Sequence, residues 1–462
     1  MLRVLNWLSL VLTVKDVKCM SRIWQVILCG CLSAVVSLPA LADEQSDLDF
    51  YHNVFSAPPL LPKQYTSDCG VPDCIANMMP GASMRSRKPN PDYITVEQSG
   101  TAPGWEERVA SDWNYFNVPA SLGKITLIDF GATPDGTGYR YLANANTQDV
   151  LYEPWSSSKI MAFAGALATI GREVSASTLV GDVKLGDLIT SINSYAPSGK
   201  ADGNSNAIAT YFANIAGREF LTGLFHDQWL NMNNPVIRFR GAYGPTAFAP
   251  SSADWQFDLR NKLAVEPFAE ASDDPFYQSY RCDECGLTGN KPMTTLAQAE
   301  FLKRMVTHNS EPQTRLPGFM PSHLEMLLYG NGHSNSVVDA GGMQAGIGVL
   351  LARAIADALA PGSDTPANEV LDELTGGRWR IFQKIGAGPS ETRGQSETVL
   401  LAHVVLQFNE GLPREFTLAV QTEVEGNSEA GVGRAGKKMQ QLLNVAMAQL
   451  LGEKSSKMAA RQ

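Results

Sequence analysis

The chain has 462 residues, 44% of them hydrophobic and 18% charged, and a formal net charge of −10. A chain of that length can bury a large core in one sizeable domain or in two. The acidic balance, with no basic block, argues against nucleic acid as a partner.

Residues 20–42 carry the pattern of a secretory signal: Met20 and Arg22 form a short charged start, 23–38 an apolar stretch, and Ala40-Leu41-Ala42 a small-residue cleavage site. The mature chain is then expected to begin at Asp43, in the periplasm or outside the cell, with no stable membrane span. Residues 1–19 read either as sequence upstream of the true start at Met20 or as part of a longer signal. Gly30 and Pro39 break the apolar stretch and speak against an uncleaved anchor, while Leu28-Cys29-Gly30-Cys31 faintly matches a lipoprotein site. Of the seven cysteines, Cys19, Cys29 and Cys31 precede the cleavage site, which leaves Cys69, Cys74, Cys282 and Cys285. Export makes local disulfides the default, Cys69 with Cys74 and Cys282 with Cys285; a zinc site from the same residues is the alternative.

Residues 43–105, rich in Pro, Ser, Asn and Gly, read as an irregular extension over a main domain at 106–451, with a polar tail at 452–462. Residues 124–130 alternate as a strand does, Pro134-Asp135-Gly136 marks a turn, and 139–142 make a second strand, so these form a hairpin. Residues 186–225 read as helical around a polar loop at 198–206, with Ile208, Ala209, Phe212, Ala213 and Ala216 on one buried face. The irregular stretch 227–292 is long for a loop in a compact domain, which is usual for a functional segment or an elaboration. Thr295-Leu296-Ala297-Gln298 reads as a capping box before a helix, and 321–329 and 341–360 as further helices. After Gly376-Gly377 the period changes to two, giving strands at 378–385, 398–408 and 416–424. Met439, Leu442, Leu443, Ala446, Met447, Leu450 and Leu451 then stripe a final amphipathic helix over 437–451. The order predicts an α+β fold: an antiparallel five-stranded sheet built from N- and C-terminal strands, with a helical subdomain inserted between them.

The stretch with the most chemistry is 153–170. Pro154 suits a helix start, and 160–170 is apolar almost all round, as in a buried helix too short to span a bilayer. Ser156 and Lys159, three apart, project from one face. A desolvated lysine loses its proton more easily, and a neutral amine beside a serine hydroxyl can activate it as a nucleophile.

Ser-x-x-Lys at the head of a buried helix, after the first hairpin and before a three-strand return, resembles the penicillin-recognising serine hydrolases, the β-lactamases and D-alanyl-D-alanine peptidases. The resemblance covers roughly 106–451, with extra sequence at 227–292 and 330–375, and implies an acyl-enzyme mechanism with no cofactor or metal on a small-molecule or peptide substrate. It makes Ser156 the nucleophile and Lys159 its base. The family's Lys-Thr/Ser-Gly triplet corresponds to Lys384-Ile385-Gly386, with Lys384 offering charge to a substrate carboxylate and Ile385 replacing the family's hydroxyl. It also implies an oxyanion hole from the N–H groups of Ser156 and Ala387. The family's Ser/Tyr-x-Asn loop corresponds to Asn204-Ser205-Asn206, with Asn206 as the motif's Asn, or to Asp202-Gly203-Asn204, with Asn204 in that role. In either register the usual hydroxyl is missing, unless Ser205 turns inward. Glu266-Pro267-Phe268-Ala269-Glu270 faintly echoes the loop that carries the deacylation base of class A β-lactamases, which makes Glu266 a candidate for that role.

Overall fold

The structure is a computed structural model that describes residues 43–63, 88–280, 289–331, 333–334, 340–390 and 392–459, with side chains to 452. The signal pattern at 20–42 and Cys69, Cys74, Cys282 and Cys285 lie outside the described residues. The chain divides into two compact units, Met1–Ser46 and Asp47–Gln462. All that follows concerns the second.

Its strands are β1 (Ser111–Phe116), β2 (Lys124–Thr133), β3 (Gly136–Asn144), β4 (Leu179–Val180), β5 (Val183–Lys184), β6 (Asp254–Gln256), β7 (Lys262–Ala264), β8 (Trp379–Ser390), β9 (Gln395–Leu406) and β10 (Arg414–Glu425). The main sheet runs β1-β3-β2-β10-β9-β8. Five of these six are antiparallel neighbours, as expected, with the first hairpin joined to the C-terminal meander through β2 and β10, where Thr126 faces Ala419. The sixth, β1, departs from the expected five-stranded sheet: it lies parallel to β3, pairing Ser111 with Tyr141. Its sequence, Ser-Asp-Trp-Asn-Tyr-Phe, mixes polar and aromatic residues on a mostly half-exposed edge, so it carries little β-branched signal. A second small sheet, β5-β4-β6-β7, forms in the helical part.

The sheet separates two cores. Ile128, Phe130, Tyr141, Phe382, Leu401 and Val405 face the inserted helices, whereas Ile125, Leu127, Ile385, Leu400, Leu418 and Val420 face helices Leu350–Leu359 and Glu429–Ala459. With both faces covered, the central strands are buried along their whole length and read as near-continuous apolar runs. The segments before β1 join this packing: Val54 and Phe55 are buried in the second core, and Trp105 in the first, its Nε1 donating to Leu230 O at 2.7 Å.

Four helices position the site: α1 (Lys159–Ile170), α2 (Leu185–Ser194), α3 (Ser205–Ala216) and α4 (Thr295–Val306). The cap of α4 is Thr294, which accepts from Ala297 N, and not the Thr295 expected. The Thr295 hydroxyl is taken by Thr126 of β2 at 2.7 Å. Among the described residues no helix is long and apolar enough to cross a membrane.

Candidate active site

Three consecutive serines open α1, and the backbone decides between them. Trp155–Ser158 form a 3₁₀ turn, in which Ser157 donates to Pro154 O at 2.6 Å and Ser158 to Trp155 O at 2.9 Å. Those two hydroxyls close the turn on itself. Ser156 alone of the three lines the cavity described below. Trp155, just before it, has φ 49°, a left-handed conformation that L side chains rarely adopt. Such strain persists only where the surroundings over-determine it. Here the Trp155 indole donates to Glu397 Oε2 at 2.9 Å and packs where a side chain on Gly388 would otherwise stand.

Lys159 is fully buried, and its Nζ donates to Ser205 Oγ at 2.9 Å and to Asn206 Oδ1 at 2.6 Å. Burial, with the Lys291 ammonium adding to it, lowers the amine from its ordinary 10.5 to about 7. The group is therefore poised to exchange a proton near neutrality.

Of the two candidate asparagines of the polar loop, Asn206 is the one in contact with Lys159. Asn204 is the N-cap of α3 and accepts from Ala207 N at 3.1 Å, so it serves the helix terminus. Ser205 does turn inward, its hydroxyl donating to Ile192 O at 2.8 Å while accepting from Lys159.

A residue the sequence reading passed over completes the group. Tyr195, at the C-terminal end of α2, takes φ 56° and turns its ring over the lysines. Its hydroxyl donates to Ile385 O at 3.0 Å, and burial raises its pKa above the ordinary 10. Only Gly or Asn would have announced a left-handed C-cap in the sequence, so Tyr195 carried no such signal.

Lys384 is fully buried, with Nζ 2.5 Å from Ile192 O and 3.7 Å from the centroid of the Tyr195 ring. It is not among the residues lining the cavity, so it is not on the wall expected to meet a substrate carboxylate. Burial, with Lys159 adding to it, pushes its pKa well down. The Ile385 side chain is likewise away from the site, buried in the second core, because alternate residues of a strand face opposite ways. What Ile385 presents to the site is its carbonyl.

That carbonyl orients the strand. β8 is the sheet edge, and in an antiparallel strand a residue's N–H and C=O leave on the same side. Ile385 O points away from β9 to meet Tyr195, so the N–H of Ala387, two residues on, faces the same way. Gly386 permits the approach: a Cβ there would stand 2.7 Å from Pro154 O, Ser156 N and Ser157 N. Ser156 and Ala387 both line the cavity.

The cavity holds about 410 Å³, within the usual range for small-ligand sites, and its far side is supplied by the long irregular stretch: Tyr243, Pro245, Tyr277, Tyr280, Asn290 and Lys291. Tyr243 bonds Ser158 Oγ at 2.9 Å, and the Tyr280 and Trp155 rings lie 6.2 Å apart. Lys291 pairs with Glu153 at 3.3 Å, both side chains almost fully buried. Glu266, by contrast, is exposed and does not line the cavity. Its loop is tied through Phe268 O to Asn214 Nδ2 at 2.9 Å, about 12 Å along α3 from Asn206.

No protein-family model matches the chain. No curated protein matches it. Among solved structures it is similar to the TLA-3 extended-spectrum beta-lactamase, at 11% identity over 72% of this chain and 95% of that one, with a TM-score of 0.40. It is also similar to the chromosome-encoded beta-lactamase of Vibrio parahaemolyticus (11% identity, 71% and 94% covered, TM-score 0.34). A third is an ancestral class A beta-lactamase (14% identity, 71% and 94% covered, TM-score 0.35).

Proposed function

We propose that this chain is an exported serine hydrolase of the penicillin-recognising type, with its working domain at 106–451, acting through an acyl-enzyme on Ser156. The observation that carries this is the state of Lys159: a buried amine at about 7, held by Ser205 and Asn206, one helical turn from a serine that lines a cavity. In this reading the amine takes the Ser156 proton, directly or through the Tyr195 hydroxyl, as Oγ attacks the substrate carbonyl. The N–H groups of Ser156 and Ala387 hold the oxyanion. Lys159 then returns the proton to the leaving group. Asn206 fixes the amine and the substrate, and Lys384 sustains the positive potential.

The substrate class follows from the walls. Trp155, Tyr243, Tyr277 and Tyr280 suit an ester, peptide or β-lactam with an apolar or aromatic acyl group. With Lys384 buried and a hydrocarbon side chain at Ile385, the usual carboxylate contacts are absent from the cavity lining. Glu266 is too exposed to hold a hydrolytic water as in class A β-lactamases. Export by residues 20–42 belongs to the same proposal, with a soluble product preferred to a lipoprotein, and with disulfides Cys69–Cys74 and Cys282–Cys285.

The test is covalent labelling with a fluorophosphonate and with a fluorescent penicillin. Labelling of the wild type that vanishes in Ser156→Ala is the expected result. No adduct with either probe would leave a binding protein that keeps the fold without the chemistry.

A further inference from the structure

β8 is a sheet edge beside Ser156, and an open edge can take an extended peptide as a further strand. How much edge β8 offers is set by the residues whose N–H and C=O turn away from β9. The even-numbered ones do not: Arg378 O accepts from Gln407 N and Ser390 O from Gly394 N, each at 2.9 Å, at the two ends of β9. Gln383 O, which packs against Gly346, and Ile385 O face outward. By the alternation of an antiparallel strand, the outward positions from there on are Ile385, Ala387 and Pro389.

Two of the three cannot pair in full. The Ile385 carbonyl already accepts from the Tyr195 hydroxyl at 3.0 Å. Pro389 has no N–H to give, and it is exposed at the edge, the place in a sheet where proline is tolerated. One residue further, Tyr280 from the long irregular stretch bonds Ser390 Oγ at 3.0 Å and stands at the end of the strand. Ala387 keeps both its groups, and of all β8 it alone lines the cavity.

We infer that the substrate is recognised through a single acyl unit at Ala387, so that the site serves small acyl donors, simple esters or single-residue amides, and not an extended peptide. The inference rests on the acyl-enzyme reading given above. The reacting carbonyl oxygen accepts from the Ala387 N–H, and an N–H in the acyl unit donates to Ala387 O. Those two bonds make one antiparallel pair. The next pair on the acyl side falls two residues along, at Pro389, where the donor is missing. The next on the leaving side falls at Ile385, whose acceptor Tyr195 holds. Lengthening the chain in either direction therefore adds backbone without the full set of bonds that would fix it as a strand.

The experiment compares the p-nitrophenyl esters of N-acetylglycine and N-acetyltriglycine on the full chain, since the two share the leaving group and the reacting residue. The third residue of the longer ester is the one that would pair with Pro389. The wild type is expected to favour the longer ester by no more than about fivefold in kcat/KM, one backbone bond at most, whereas a strand-adding edge would favour it about 30-fold. Pro389→Ala, which restores one outward donor, is expected to raise the ratio of long to short about fivefold. A residue that only packs would move both rates together and leave that ratio unchanged. A wild-type preference of about 30-fold for the longer ester, or a ratio that does not move in Pro389→Ala, overturns the inference. In either case an acyl group found on Ser156 by mass spectrometry leaves the acyl-enzyme reading standing. A wild type in which neither ester acylates Ser156 overturns that reading and the inference with it.

Discussion

The Lys384 Nζ lies 3.7 Å from the centroid of the Tyr195 ring, so the buried amine of the strand packs against an aromatic side chain from another element. The contact sets the tyrosine's place as much as the lysine's. That packing helps hold the left-handed Tyr195 with its hydroxyl on Ile385 O.

Tyr195→Phe separates those functions, because the ring stays over Lys384 while the hydroxyl is lost. The acylation rate is expected to fall about 100-fold, the size of effect usual for one positioned proton carrier. Stability should drop by only about 1 kcal/mol, the net worth of one hydrogen bond. Burst kinetics and urea denaturation on one sample check both.

Gly386→Ala tests the approach of β8 to the Ser156 turn. Its methyl would stand 2.7 Å from three backbone atoms of that turn, none of which can swing aside as a flexible side chain does. The strand must retreat, taking the Ala387 N–H from its place opposite Ser156. A misplacement of about 1 Å can cost catalysis 100-fold, so labelling of Ser156 by a fluorophosphonate is expected to slow by up to about 100-fold. The far-UV spectrum should not change.

Lys291→Met addresses the charge that Lys159 feels. Removing a neighbouring ammonium favours the protonated amine, and the Glu153 carboxylate left without its partner favours it further. Both effects have one sign. The acid limb of the acylation profile, expected near pH 7 in the wild type, should move upward, and the measurement is the burst rate from pH 5 to 10.

Legibility in the sequence followed the kind of signal each feature gives. The strands β2, β3, β8, β9 and β10 announce themselves through β-branched runs and through the switch of period at Gly376, so the antiparallel sheet was readable. Ser156, Lys159, Asn206 and Ala387 came from short motifs whose spacing survives in one dimension; Lys159 meets Asn206, and Ser156, Asn206 and Ala387 line one cavity. Tyr195, Glu153 and Lys291 did not, because each acts by three-dimensional placement alone: a tyrosine in a conformation its identity does not forecast, and an ion pair formed across 138 residues. The β8 strand runs five residues beyond the expected 385, since Gly386 and Gly388, weak strand formers, are there for close approach to the Ser156 turn. Ile385 was misassigned to substrate binding because a triplet in sequence does not reveal which of its side chains faces the site.

The machinery around Lys159 should be destabilising in itself. In the unfolded chain the amine stays protonated to about pH 10.5, and in the folded chain only to about 7, so between those values the unfolded state binds more protons. Stability must then rise with pH across that window, and below 7 the full cost of burying the charge is present. Lys159→Met, similar in length and apolar, removes that cost. The variant should be inactive, yet more stable than the wild type at pH 7 by a few kcal/mol, an exchange of activity for stability common at active sites. Its stability should also depend less steeply on pH, although not flatly, since Lys384 is buried as well and would regain part of its basicity without Lys159 beside it. Urea denaturation of both proteins at pH 6.5, 8 and 9.5 decides the matter. A variant less stable than the wild type at pH 7 would mean that the bonds from Ser205 and Asn206 outweigh the desolvation of the amine.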